Sequence, residues 1–265
     1  MLSCHALHVK HGHRAILADI NFELAAGQFI AILGENGAGK STLLQALTQD
    51  IDYQGTVSFA GQDLAACNPA QLATRRAVML QHSRPNFAFS AKALIAMGRY
   101  PITESERERE ANVNEVIALL DLTALAERDI TALSGGELQR VQFARCFAQL
   151  NGQRRDSSGK LMLLDEPTAA LDLHHQHKVL GLAKQFARQG NVVVAVLHDL
   201  NLASLYADQV LLLADGRLQQ HGAPSDVLCQ QVLKPIYHTE MHINPHPVYH
   251  IPMIFSEPLK GVRHA

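Results

Sequence analysis

Residues 29–33, Phe-Ile-Ala-Ile-Leu, form an unbroken apolar run that leads directly into Gly34-Glu-Asn-Gly-Ala-Gly-Lys40-Ser41, and helix-forming residues follow. Few folds accept that order. It reads as a strand buried on both faces, a glycine-rich turn and the start of a helix. Such a turn lets main-chain N–H groups converge on phosphate oxygens, and the helix N-terminus adds partial positive charge. The spacing fits GxxxxGK[ST]. On this reading Gly34, Glu35, Asn36, Gly37, Ala38 and Gly39 wrap the phosphates, and Lys40 reaches the β/γ end. Ser41 ligates Mg²⁺, and Thr42 adds a second hydroxyl at the same helix start.

The rest of the chain sets this loop in an α/β context. Before it, Ile20, Phe22 and Leu24 alternate with polar residues, as expected of antiparallel strands. After it, residues 56–60 and 78–80 read as strands, and the stretch 83–150 reads mainly as helix. Thr103-x-x-Glu106 suggests a capping box, and the charges over 104–110 suggest a solvated helix face. Residues 151–159 (NGQRRDSSG) are polar and turn-rich, a candidate insertion. Apolar runs at 161–164, 192–197 and 210–214 then alternate with helical sequence, the pattern of a parallel sheet with crossover helices. Asp215-Gly216 predicts a hairpin.

Composition narrows the function classes. Twenty-three Lys plus Arg against 25 Asp plus Glu leave a net charge of −2, which argues against nucleic acid as partner. No apolar run is long enough to span a bilayer, and the N-terminal residues do not read as a secretion signal. Cys4, Cys67, Cys146 and Cys229 are widely spaced, with no CxxC pair, and read as free thiols in a reducing compartment.

Two further motifs carry chemistry. Residues 161–166, Leu-Met-Leu-Leu-Asp-Glu, form an apolar strand ending in two carboxylates. A strand end places Asp165 at the sheet edge where open α/β sheets bind ligands, as a direct or second-sphere Mg²⁺ ligand. Glu166 then suits the polarisation of an attacking water. Leu133-Ser134-Gly135-Gly136-Glu137-Leu138-Gln139-Arg140 is a capping box, Ser134-x-x-Glu137, whose glycines open the helix start to an anion.

The last motif, set between a phosphate loop and a Leu-Leu-Asp-Glu-Pro strand, resembles the signature of the ATP-binding cassette (ABC) superfamily, over about residues 1–225. The resemblance implies an α/β fold of the P-loop NTPase type: a mixed-sheet core lobe, an antiparallel β subdomain and a helical subdomain at about 84–150. A C-terminal extension, 226–265, follows. It also implies ATP and Mg²⁺ as ligands, and a homodimer in which Ser134, Gly135 and Gly136 of one copy serve the γ-phosphate bound by the other. Gln81 is similar to the glutamine that links metal and water to the membrane subunit, and is a candidate Mg²⁺ ligand beside Ser41 and Asp165. Residues 170–172 resemble the D-loop, and His198 the switch histidine. His11 stands where the family usually stacks an aromatic residue on adenine, and imidazole stacks less strongly.

His198-Asp-Leu-Asn-Leu-Ala203, Gln81-His82-Ser83, residues 97–101 and the insertion before the Asp165 strand narrow the resemblance further. They are similar to ATPases of importers for iron chelates, haem and cobalamin, with haem favoured over siderophore and cobalamin. Implied partners are two copies of a transmembrane permease and, through them, a periplasmic haem-binding protein. The implied location is the cytoplasmic side of the inner membrane. One cassette without sustained heptads argues against a ribosome- or DNA-directed ABC ATPase. The presence of Lys40, Glu166 and His198 together argues against a nucleotide-binding scaffold that has lost hydrolysis. His238, His242, His246 and His250 recur every fourth residue, but Pro245, Pro247 and Pro252 forbid the helix that would align them.

Overall fold

The computed structural model describes residues 1–81, 88–152 and 159–257. The chain opens with β1 (Leu2–His11), β2 (Arg14–Leu24) and β3 (Gln28–Leu33), then α1 (Lys40–Thr48). Strands β4 (Gln54–Phe59) and β5 (Gln62–Asp63), helix α2 (Pro69–Ala73) and strand β6 (Arg76–Met79) come next. Three helices form the expected helical region: α3 (Ala91–Met97), α4 (Glu106–Leu119) and α5 (Gly135–Leu150). Then β7 (Leu161–Asp165), α6 (Leu173–Arg188), β8 (Val192–Val196), α7 (Leu200–Tyr206), β9 (Gln209–Ala214) and β10 (Arg217–Gly222) complete the core. The last elements are α8 (Pro224–Val227), α9 (Gln230–Tyr237), β11 (Met241–Pro245) and β12 (Pro252–Ser256).

The central sheet has the order β10-β9-β3-β8-β7-β6, parallel except where the β9–β10 hairpin turns back. Its inner strands β3, β8 and β7 are buried on both faces, as their unbroken apolar sequences require, while the edge strand β10 is polar and partly exposed. Phe29, Ala31 and Leu33 of β3 face one core with α3–α7, while Ile30 and Ile32 face a second core with α1 and the antiparallel sheet. That second sheet has the order β2-β1-β4-β5. The mixed core, the antiparallel layer and the helical region are those expected from sequence.

The start of α4 differs from expectation. Its cap is Ser105 rather than Thr103: Glu108 N–H donates to Ser105 Oγ, and Glu108 Oε2 accepts from Ser105 N–H at 2.8 Å. Two overlapping Ser/Thr-x-x-Glu patterns compete here, and burial decides between them. Glu104 is not on a solvated face: only 7% of its side chain is exposed, and it pairs with Arg99, itself 1% exposed. Arg99 Nε donates to Glu104 Oε1 at 2.9 Å, and its Nη1 donates to the carbonyls of Ala148 and Asn151 at 2.6 Å. The ion pair therefore sits before the helix and ties its entry to the end of α5.

Among the described residues no helix is long and apolar enough to cross a membrane. All four cysteines are free, with Cys4 and Cys146 buried and Cys67 and Cys229 half-buried. Burial pushes the Cys4 thiol up to about 12, so it stays protonated. Most of the polar insertion, 153–158, and His82 and Ser83 lie outside the described residues.

Candidate nucleotide and hydrolysis site

Neighbouring parallel strands deliver the candidate residues in a row. Along the order β3-β8-β7-β6, the C-terminal ends lead to Gly34, His198, Asp165–Glu166 and Gln81. This is the edge at which open α/β sheets bind their ligands.

At β3 the chain turns through Gly34 (φ 146°), Gly37 (φ 84°) and Gly39 (φ 99°). A Cβ on Gly34 would lie 2.2 Å from the Leu213 carbonyl, so only glycine fits there. Gly39 caps α1 without a side-chain hydrogen bond, which leaves the helix N-terminus to an external acceptor. Lys40 is buried, and its Nζ donates to the carbonyls of Gly34 and Glu35, both at 2.8 Å. Burial lowers its pKa, and the charges of Glu166, Asp165 and Glu35 oppose that shift. Ser41 and Thr42 follow, half-buried, on the first turn of α1.

Asp165, at the end of β7, is 7% exposed, and its pKa is raised chiefly by burial and next by the neighbouring Glu166 charge. The main-chain N–H of Gln81 donates to its carboxylate, yet Oδ1 is buried without a hydrogen-bond partner. An orphaned, buried carboxylate oxygen next to a phosphate loop suits a hard divalent cation, so the residues present fit Mg²⁺. Gln81 is itself exposed and shares a cleft of about 190 Å³ with Asp165, Glu166, Gly135 and Gln139.

Glu166 adopts φ 49°, a left-handed conformation rare for a residue with a side chain. Its Oε1 lies 2.5 Å from His198 Nε2. A residue that the sequence reading left without a role holds it there. Gln139 Nε2 donates to the Glu166 carbonyl at 2.5 Å, while Gln139 Oε1 accepts from Ala170 N–H at 2.9 Å. The signal was present, because Gln139 lies three residues after Gly136 and hence on the same face of α5.

Ser134 caps α5 as expected: Glu137 N–H donates to its Oγ, and Ser134 N–H donates to Glu137 Oε2 at 2.8 Å. Ser134 and Gly135 are exposed at the helix start, whereas Lys40 is buried under the phosphate loop. His11 lies elsewhere again, at the exposed end of β1, lining a cleft of about 570 Å³ with Val9, Ile16, Thr42 and Gln45. That cleft meets α1 at Thr42, one helical position beyond Ser41. The four C-terminal histidines do not share a face: His238 caps α9, His242 lies on β11, and His246 and His250 bracket the hairpin turn.

Comparison with known proteins gives a consistent picture. The family model described as ABC transporter matches residues 17–169. A protein of Idiomarina loihiensis named "Hemin import ATP-binding protein HmuV" is 44% identical, covering 97% of this chain and 99% of its own length. One of the same name from Burkholderia thailandensis is 42% identical, with 89% of this chain and 93% of its own length covered. Among solved structures, an inward-facing ABC transporter described as of the metal-chelate type matches with TM-score 0.77 and 28% identity, over 97% of each chain. An ATP-binding cassette solved as a dimer with ADP and Pi has the same fold, with TM-score 0.71, 24% identity and 84% of this chain and 99% of its own covered.

Proposed function

Because this chain belongs to the ABC transporter family of ATP-binding subunits, we propose that it is the energy-coupling ATPase of a hemin importer. The observation that carries the cargo is the near full-length similarity to proteins named for hemin import. The likeness to a transporter of the metal-chelate type keeps ferric siderophore or cobalamin as a second reading.

In this reading ATP binds with its phosphates in the turn from Gly34 to Gly39, under Lys40, Ser41 and Thr42, and with its base toward His11. Lys40 exchanges its two loop carbonyls for phosphate oxygens, which replaces neutral acceptors with charged ones. Mg²⁺, when bound, neutralises phosphate charge and polarises the γ-phosphoryl oxygens. Asp165, Ser41 and Gln81 are the residues that would hold it. Glu166 orients the attacking water, and His198 beside it donates to the γ-phosphate.

The helix start at Ser134 and Gly135, exposed within one copy, supports closure by a second copy. Two copies would then work beneath two permease subunits at the cytoplasmic face of the inner membrane, with a periplasmic haem-binding protein presenting the cargo. No nucleic acid is needed in this cycle.

The test is reconstitution with the neighbouring permease and binding protein in liposomes. Hemin-loaded binding protein is expected to raise ATP hydrolysis and drive uptake. Stimulation by a ferric siderophore alone would replace the cargo and keep the ATPase, while indifference to any permease would remove the transport role.

A further inference from the structure

The C-terminal extension is attached beside two neighbouring members of the row of residues that the hydrolysis site uses, Gly34 after β3 and His198 after β8. At the first, the end of α9 packs beside the phosphate loop, with Pro235, Ile236 and His238 facing Glu35, Asn36, Gly37 and Ala38 across one cleft, and the Tyr237 phenolic oxygen lies toward the Gly34 main-chain N–H. On its other side the Gly34 carbonyl accepts from Lys40 Nζ at 2.8 Å. The Leu213 carbonyl closes a third side, where it leaves no room for a Cβ. His238, in the left-handed conformation (φ 48°), ends α9 beside the same loop, and a cleft of about 310 Å³ separates it from Glu35, Asn36 and Gly37.

At the second, the β11–β12 hairpin is bolted to α7, the helix that starts directly after His198 and Asp199. Asn201 Oδ1 accepts from Ile254 N–H at 2.8 Å, and its Nδ2 donates to the Ile254 carbonyl at 3.1 Å. One turn on, Ser204 Oγ donates to the Pro252 carbonyl at 2.6 Å. Asn201 thus mimics a neighbouring strand toward β12. Between the two attachments the extension is anchored rather than draped: Leu228, Leu233, Met241 and Ile254 are buried in the core that also holds Leu202 and Ala203 of α7.

From these contacts we propose that the extension is a brace along one side of the nucleotide site, with Tyr237 a positioning residue for the phosphate loop and the β11–β12 hairpin a positioning element for the His198 segment. Neither touches substrate. Tyr237 fixes where the phosphate loop begins, and so where Lys40 waits. The hairpin fixes the axis of α7, and so the angle at which His198 meets Glu166. Burial supports the first role, since it pushes the Tyr237 hydroxyl up to about 12 and keeps it neutral as a hydrogen-bond partner. The inference concerns the same site as the ATPase reading, but its binding arm does not depend on turnover.

Two variants separate the two attachments. Tyr237→Phe keeps the ring and removes the acceptor, while Asn201→Ala combined with Ser204→Ala releases the hairpin from α7. Affinity is measured by calorimetry with ATP in the absence of added metal, turnover with Mg-ATP, and stability by thermal unfolding. Tyr237→Phe is expected to weaken ATP binding roughly 3- to 10-fold, the worth of one hydrogen bond, with little change in saturated turnover. The Asn201/Ser204 variant is expected to lower kcat by a similar factor with ATP affinity unchanged. Wild-type ATP affinity in Tyr237→Phe overturns the brace at the loop, and wild-type kcat in the double variant overturns it at α7. Losses that merely follow a lowered Tm in both variants assign the extension to stability alone. A wild-type chain that binds ATP without hydrolysing it removes the ATPase reading, and the binding comparison still decides the role of Tyr237.

Discussion

Glu166 Oε1 and His198 Nε2 lie 2.5 Å apart, at the ends of the adjacent parallel strands β7 and β8. The two side chains share a hydrogen, so each fixes the other's orientation before any ligand arrives. A carboxylate held by an imidazole and set in a left-handed backbone is one whose position the fold has over-determined. Glu166→Gln keeps the shape and removes the basicity. It is expected to retain ATP binding, to accumulate an ATP-bound dimer, and to lose on the order of 10²–10⁴-fold in kcat. Single-turnover hydrolysis with size-exclusion chromatography reads all three. Normal turnover in that variant would move the water-orienting role to another residue.

The carboxylate at Asp165 gives a prediction with a sign. Its pKa is raised in the folded chain, mainly by burial, so the folded state favours the protonated form. That contribution is complete below the unfolded value, about 3.9, and is lost as pH rises through the raised folded value. Near neutrality the ionised group is therefore a cost, offset when a cation meets Oδ1. Excess Mg²⁺ is expected to raise Tm near neutral pH and to do so less at lower pH. Asp165→Asn should raise the metal-free Tm and abolish the Mg²⁺ increment. An undiminished increment in that variant would place the cation elsewhere.

Much of this site was legible from the sequence because its chemistry is local. A glycine loop between an apolar strand and a helix admits few conformations, and an apolar strand ending in Asp165-Glu166 has one edge at which to end. What stayed hidden is what distant segments do to one another. Glu104 looked solvated because its neighbours are charged, and only the reach of its partner Arg99 to the distant carbonyls of Ala148 and Asn151 shows why the pair is buried. Gln139 stood in the quoted motif, but its bond to the Glu166 carbonyl crosses from helix to strand end. Tyr237 lies on a short helix that carries Pro235, and nothing near it in sequence points to Gly34, about 200 residues away.

The Arg99–Glu104 pair should matter to stability more than to chemistry. Arg99 is almost wholly buried, so removing its partner leaves a charge without compensation. Glu104→Ala is expected to cost about 3 kcal/mol, measured by denaturant unfolding. Hydrogen bonding to Arg99 holds the Glu104 carboxyl below the usual range. Its contribution is thus present above the unfolded carboxylate pKa and lost as pH falls through the folded one. The stability gap between wild type and variant should close in acid. A gap that persists unchanged there would show packing, not charge, to be the cause.

Gly135 and Gly136 have the same place in the motif but different surroundings. A Cβ on Gly136 would lie 2.5 Å from the Ala170 carbonyl, while one on Gly135 would meet nothing nearer than the Ala170 side chain at 3.8 Å. Main chain cannot yield as a flexible side chain does, so Gly136→Ala must push the start of α5 away from the Ala170 segment. Gln139, one turn further along, bonds to both Ala170 and Glu166 and would move with it. Gly136→Ala is expected to cost about 1–3 kcal/mol of stability. Turnover should fall on the order of 10- to 100-fold through displacement of Glu166. Gly135→Ala is expected to leave Tm at the wild-type value, because its new methyl group makes only an ordinary van der Waals contact with the Ala170 side chain, whatever it does to contact with a second copy. Thermal unfolding of the two variants side by side decides the matter. Equal losses of Tm would mean that helix geometry, and not the approach to Ala170, demands glycine at this end of α5.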